Sequence, residues 1–376
     1  MFFIYTTILC IYLLIRTIFL LSAPLYIKCT LAILIIIGAN LHFISKQISG
    51  YMVANYPKTI LYSWEFLFTF CMFLFLTTLT LDIIRLISLF PVSFFKTINI
   101  FLLSNKVIIA SILLSTIFAI YGLYQGNKVP DIKKTIIHID KWPPSLDGFK
   151  IVQLTDLHIS NLLTKEWLSR VVEKTNKEKP DLIVITGDLT DGMPKDYKNN
   201  IIPLKNLQAE YGVYGSQGNH EYYYDFEGWN NEYRKNNVKM LNNEHVLIGY
   251  SDKFVLAGVT DPAASRFGKE PNNIEKALKN HNNSLPVILM DHRPSNAFEN
   301  SAFNVDLQLS GHTHGGMMPL LAQIVKKANN GLSSGYYLIG DLQLYLSNGT
   351  GIWNGFPIRL GYNSEITVLE IYSKKE

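Results

Sequence analysis

The sequence predicts an α/β domain preceded by an all-α, membrane-spanning region, and three observations carry that prediction. Charge is divided unevenly along the chain. The apolar periodicity changes near residue 130. Beyond that point, polar residues collect where apolar strands end.

The charge division comes first because the whole-chain averages hide it. The 376 residues are 48% hydrophobic and 17% charged, with a net charge of +4. Residues 1–125 hold only seven basic residues (Arg16, Lys28, Lys46, Lys58, Arg85, Lys96, Lys106) and two acids (Glu65, Asp82). Subtracting these from the totals leaves 27 basic and 28 acidic residues for the rest of the chain. The positive excess therefore belongs to the apolar part. The remainder is near neutral and has no basic tract, so no nucleic-acid partner is expected. Cys10, Cys29 and Cys71 all lie in the apolar part, which leaves the remainder without disulfides or thiolate metal sites.

Four apolar runs, Phe2–Leu21, Leu25–Phe43, Ile60–Phe90 and Val107–Tyr124, approach the roughly 20 residues that a spanning helix needs. Residues 1–125 thus read as a transmembrane region of about four helices. Arg16 interrupts the first run. The Met1 end shows no basic stretch and no small-residue cleavage site, so a removed signal peptide is not expected. Asp82 and Arg85, three apart, can pair on one helical face, and Glu65 near a run end can snorkel. Counting lysines across four spans puts Lys46, Lys58, Lys128, Lys133 and Lys134 on one side and Lys28, Lys96 and Lys106 on the other. The positive-inside rule then favours a cytoplasmic C-terminal domain in a bacterial plasma membrane.

Residues 126–148 read as a linker, stiffened by Trp142-Pro143-Pro144. From 149 to 376 short β-rich runs alternate with helical stretches. The runs are Lys150–Leu154, Leu182–Thr186, Val213–Ser216, Phe254–Val259, Val287–Met290 and Asp306–Leu309. Lys165–Lys179 and Asn272–Asn280 read as helices, and the pattern indicates a layered α/β domain. Residues 335–372 read as consecutive antiparallel strands that close it.

Each strand end carries a polar motif. Asp156-Leu157-His158 follows the first strand, Gly187-Asp188-Leu189-Thr190-Asp191 the second and Gly218-Asn219-His220-Glu221 the third. Asp291-His292-Arg293-Pro294 and Gly311-His312-Thr313-His314-Gly315-Gly316 follow two later strands. Ligands in open α/β sheets bind beyond the carboxyl ends of strands, so these motifs are expected to converge. Imidazole, carboxylate and amide oxygen suit Mn, Fe or Zn, and seven candidate ligands exceed the needs of one ion. Asp-x-His and His-x-His put both side chains on one face when the backbone is extended. Gly315 and Gly316 are expected to let the backbone pass close to the metals. The histidines outside the motifs, His42, His138, His245 and His281, read as surface or interface residues.

In order and wording the five motifs resemble the calcineurin-like metallophosphoesterase superfamily, in particular its membrane-associated branch. The resemblance extends over about 149–372 and includes Leu146-Asp147-Gly148-Phe149-Lys150-Ile151-Val152 and Arg359-Leu360-Gly361. It implies a layered β-sandwich flanked by helices and a metal-dependent phosphoesterase with two divalent ions. By the same resemblance Asp156, His158, Asp188 and His314 would hold one ion, and Asp188, Asn219, His292 and His312 the other. His220 would be the catalytic acid toward the leaving oxygen. The ions would activate a water to hydroxide for attack on a phosphoester or pyrophosphate bond. Arg293 and Asn161 are candidates for contacting substrate phosphate, and Asp191 and Asp291 for orienting ligands.

Attachment to apolar helices makes a lipid-linked substrate, such as UDP-2,3-diacylglucosamine, a candidate and places the chain in lipid metabolism. The alternative is a non-catalytic membrane scaffold or regulatory protein that retains the fold. Such proteins lose ligands, and every ligand position is filled here.

Overall fold

The computed structural model describes residues 2–51, 53, 55–87 and 99–374. The chain divides into two compact units, one of residues 1–124 with 355–358, the other of 125–354 with 359–376.

The first unit is helical: α1 (Phe2–Leu13), α2 (Leu25–Ser49), α3 (Lys58–Ile87) and α4 (Asn105–Asn127). Among the described residues α2, α3 and α4 are long and apolar enough to cross a membrane, and the first apolar helix, Thr6–Phe19, is shorter. The end of the third apolar run and Lys96 fall in 88–98, outside the described residues. At Leu14–Phe19 the first helix widens into a π-helical turn around Arg16. Arg16 is 5% exposed, and its Nε donates to Asp82 at 2.8 Å. The expected Asp82–Arg85 pair forms at 3.0 Å, and Tyr12 donates to the same carboxylate. One anion inside an apolar bundle is thus balanced by two guanidinium groups, as burial of charge requires. Glu65 does not snorkel. It is buried in α3, 4.0 Å from His42 of α2, which of the surface and interface alternatives takes the interface.

The second unit contains two six-stranded sheets. With β5 at Lys239–Met240, β6 at Glu244–Ile248 and β7 at Phe254–Gly258, the first has the order β1-β12-β2-β3-β4-β5 and the second β10-β11-β9-β8-β7-β6. The motif-bearing strands are β2 (Phe149–Leu154), β3 (Leu182–Thr186), β4 (Val213–Ser216), β8 (Val287–Met290) and β9 (Leu307–Ser310). β2, β3 and β4 pair in parallel, as do β8 and β9, so the motif ends point one way within each sheet.

These strands lack polar alternation because both of their faces are buried. Leu182 and Val184 of β3 face the core between the sheets, with Ile288 and Met290 of β8 and Leu307 and Leu309 of β9. Ile183 and Ile185 point the other way, against Trp167, Leu168 and Val171 of α5 (Lys165–Lys177). Val287 and Leu289 of β8 join a third cluster behind the second sheet. Each such side chain contributes about 1.5–3 kcal/mol by leaving water.

Two parts of the expected domain differ. Within 126–148, read as a linker, β1 (Asp131–Ile139) pairs in parallel with β12 (Glu365–Ser373) along its whole length. Trp142 is buried in the inter-sheet core beside Phe149 and Phe254. Nor are residues 335–372 one meander. β10 (Gly335–Ile339) and β11 (Leu342–Leu346) form a hairpin in the second sheet, while β12 joins the first, antiparallel to β2. The amphipathic pattern identifies a strand but says nothing of its sheet.

Candidate metal centre

Backbone pairing between loops sets the site. After β2 and β3 the chain continues as two matched loops: Asp156 N donates to Gly187 O, His158 N to Asp188 O and Ile159 N to Leu189 O. This ladder sets the Asp156 motif beside the Asp188 motif. The loops after β8 and β9 are joined in the same way, Asp291 N to Leu309 O and Gly311 N to His292 O. Gln153 links the two sheets by donating to Thr186 Oγ1 and Ser310 O.

The local backbone is not the extended one that Asp-x-His and His-x-His spacing suggests. Asp156, His158, Asp188, His312 and His314 all have left-handed φ, between 43° and 73°. Non-glycine residues avoid that region at about 1–3 kcal/mol each, and such strain concentrates at functional sites. The turn, not strand alternation, brings the paired ligands to one place. Two glycines make close approach feasible. A Cβ on Gly218 would run into Asp188, and one on Gly311 into Asp156 and Thr155. Gly315 and Gly316 serve other packing: a Cβ would meet Asn348 at the first and Ala322 at the second.

Six of the seven candidate ligands fall into two clusters, Asp156/His158/His314 and Asp188/His292/His312, each with ligand atoms within 4.8 Å of one another. In the first, His314 Nε2 lies 3.5 Å from Asp156 Oδ1 and 3.1 Å from His158 Nε2. In the second, His292 Nε2 is 3.2 Å from Asp188 Oδ2. His158 Nε2, 3.9 Å from Asp188 Oδ2, connects them. Asn219, the seventh, shares Arg293 with His312, each 3.2 Å from a guanidinium nitrogen.

The donor chemistry suits divalent ions. His292 Nδ1 lies 2.8 Å from Thr186 O, which can only accept, so Nδ1 carries hydrogen and a neutral ring keeps its lone pair on Nε2. That buried Nε2 has no hydrogen bond and faces a carboxylate oxygen. His158 repeats the arrangement, with Nδ1 on Asp191 Oδ1 at 2.8 Å and Nε2 toward His314 and two aspartates. Ring nitrogens and carboxylates that converge in a buried site need positive charge between them. Burial disfavours a charged His292 ring, yet Asp188, Asp156 and Asp261 outweigh it and hold the group up at about 10, so a proton or a cation is favoured at Nε2. Burial and neighbouring cations instead keep His312 and His314 well below the ordinary histidine value, hence neutral and able to ligate. Burial raises Asp156, while His292 and His220 hold Asp188 well below the usual carboxylate range against its own burial.

His220 stands beside the clusters, its Nε2 3.9 Å from Asp188 Oδ2 and its Nδ1 2.5 Å from Asp191 Oδ1. Burial pulls its ring down, but Asp188 and Asp191 raise it to about 9, so it carries a proton at neutral pH. Asp191 exceeds its sequence reading: one carboxylate oxygen accepts from both His158 and His220. Its place three residues after Asp188 was the available signal. Asp291 is buried and accepts from Asn296, Asn300 and the Arg293 backbone, bracing the His292 loop.

Three further supports have no role in the sequence reading, although Glu221 closes the third motif and Arg359 opens the late Arg359-Leu360-Gly361 segment. Glu221 accepts from the backbone N–H of Asp188, Leu189 and Gly218, fixing the second and third motifs to each other. Asp261 binds Arg293 in a fork. Arg359, fully buried, gives hydrogen bonds to the carbonyls of His314, Asn348 and Gly351. Just after His220, Tyr222 stacks on Phe226 and is buried, whereas Tyr223 is exposed beside the His220 ring.

Comparison with known proteins agrees with this geometry. The family model described as calcineurin-like phosphoesterase matches residues 149–316. A metallophosphoesterase of Helicobacter pylori is 37% identical over 256 residues, 68% of this chain and 67% of the relative. One from Campylobacter jejuni is 34% identical over 310 residues, 82% of this chain and 80% of its own length. A transmembrane protein with metallophosphoesterase domain from Danio rerio is 32% identical over 269 residues, 69% of this chain and 61% of that protein. With these matches and the assembled His/Asp clusters, the chain belongs to the calcineurin-like phosphoesterase family and is a metallophosphoesterase.

Proposed function

We propose that the protein is a membrane-anchored phosphohydrolase with two divalent ions, in which residues 149–376 are the catalytic domain and 1–125 the anchor. The observation that carries this reading is the pair of adjoining His/Asp clusters, with His292 Nε2 3.2 Å from Asp188 Oδ2 and His314 Nε2 3.1 Å from His158 Nε2. Asp156, His158, Asp188 and His314 would hold one ion, and Asp188, Asn219, His292 and His312 the other. Mn, Fe or Zn there would supply Lewis acidity to phosphoryl oxygens and acidify a water. The chain's own residues do the rest. Asp191 and Thr186 hold the Nδ1 protons that direct the Nε2 atoms of His158 and His292 inward. His220, kept protonated by Asp188 and Asp191, delivers a proton from Nε2 to the departing oxygen.

The substrate is a phosphoester or pyrophosphate at a membrane surface, with a lipid-linked compound such as UDP-2,3-diacylglucosamine as the leading candidate. Attachment of the domain to apolar helices supports that choice. The lysine distribution supports a plasma-membrane location with the catalytic domain on the cytoplasmic face. The test uses full-length protein in detergent with Mn, assayed on bis-p-nitrophenyl phosphate and on a panel of lipid-linked pyrophosphates. Turnover is expected, with loss in Asp188→Asn together with loss of bound metal. A metal-loaded wild type inert toward monoesters, diesters and pyrophosphates would refute the reading.

A further inference from the structure

Arg293 and Asp261 lie beside the clusters without belonging to either, and their geometry is more constrained than a surface pair requires. The Asp261 side chain is fully buried, and its two oxygens accept from Arg293 Nε at 2.8 Å and from Nη2 at 3.2 Å. Asp261 also accepts from Ala263 N at 2.7 Å, so the carboxylate is itself held by the backbone of the Pro262–Phe267 turn. A fork of this kind fixes the guanidinium plane as well as its position.

The other donors of that plane face the centre. Nη2 reaches Asn219 Oδ1 and Nη1 reaches His312 Nε2, both at 3.2 Å. Of five guanidinium N–H groups, Asp261 takes two, and two reach Asn219 and His312, candidate ligands whose lone pairs a bound ion would engage instead. One N–H on Nη1 is left over, and 26% of the side chain is exposed. Arg359 uses its donors differently: it is fully buried and, apart from a 3.3 Å approach to His314 Nδ1, gives them to backbone carbonyls. Arg293 instead presents an oriented donor at the open edge of the second cluster.

We propose that Arg293 is a substrate-binding residue that donates to a non-bridging phosphoryl oxygen, and that Asp261 is the positioning residue that aims it. The proposal rests on the hydrolase reading above and names the group that orients the phosphate. Because Asp261 neutralises the guanidinium, the contribution is directional and depends little on ionic strength. A lysine cannot reproduce the fork, so charge alone does not replace Arg293.

The test is made on Mn-loaded full-length protein, with bis-p-nitrophenyl phosphate kinetics, calorimetric binding of inorganic phosphate, metal content and melting temperature. Arg293→Gln and Arg293→Lys are expected to raise KM and the phosphate Kd roughly 10- to 100-fold, the loss of a charged hydrogen bond, with a smaller fall in kcat and unchanged metal content. Asp261→Asn shifts both constants in the same direction, and the double variant is no worse than Arg293→Gln alone. Unchanged KM and phosphate Kd with a lowered melting temperature would overturn the proposal and make the pair structural. A wild type that binds no phosphate overturns it as well. A wild type inert on every ester but binding phosphate in an Arg293-dependent manner supports the arm and overturns the hydrolase reading.

Discussion

Replacing Asp191 with asparagine separates charge from shape at the group that serves two histidines. The buried carboxylate accepts the Nδ1 protons of His158 and His220 on one oxygen, at 2.8 and 2.5 Å. Asparagine keeps an acceptor oxygen of the same reach but removes the anion. At His220 burial pulls the ring down and the two aspartates raise it to about 9. Removing one of them lowers that value, so the ring loses its proton at lower pH. If His220 acts as an acid, the alkaline limb of the kcat/KM profile moves toward neutrality and activity below the limb is retained better than above it. At His158 the weaker acceptor makes Nε2 a poorer ligand, and changes of this kind reduce metal affinity by about 10- to 100-fold. The assay is kcat/KM for an aryl phosphodiester from neutral to alkaline pH at saturating Mn, with metal affinity titrated separately. An alkaline limb in the same place, with unaltered metal affinity, would show that Asp191 controls neither histidine.

Two further substitutions probe the supports. Glu221→Gln leaves a side-chain amide that cannot accept from all of the Asp188, Leu189 and Gly218 N–H groups, at a cost of about 1–3 kcal/mol read from denaturant unfolding. Stability equal to wild type would count against that role. Gly311→Ala places a methyl group against Asp156 and Thr155, so metal affinity and activity should fall together, while a silent variant would mean that the loop has room to move.

Much of the candidate centre was legible because each candidate ligand is written next to its strand. Leu182–Thr186 and Val287–Met290 are short apolar runs bounded by Gly187-Asp188 and Asp291-His292, and burial on both faces leaves no other reading. The left-handed φ at Asp156 and Asp188 was not legible, since neither residue type demands it and only the paired loops impose it. β1 was read as linker because its partner, β12, lies more than 200 residues away. Glu65 is buried rather than snorkelling for a related reason: a helical run shows which residues it contains but not which neighbour covers them.

The sequence by itself determined the division into an apolar and a near-neutral part, the α/β class and the identity of the residues that cluster. Those are local properties: charge density, apolar period and side-chain chemistry beside a strand end. Only the tertiary structure decided that Asp191 serves two rings, that Glu221 joins two motifs and that Asp261 aims Arg293. Each of these is a hydrogen bond between loops that approach only after the sheets have formed. Partner choice there depends on distance and burial in three dimensions, which spacing along the chain does not encode.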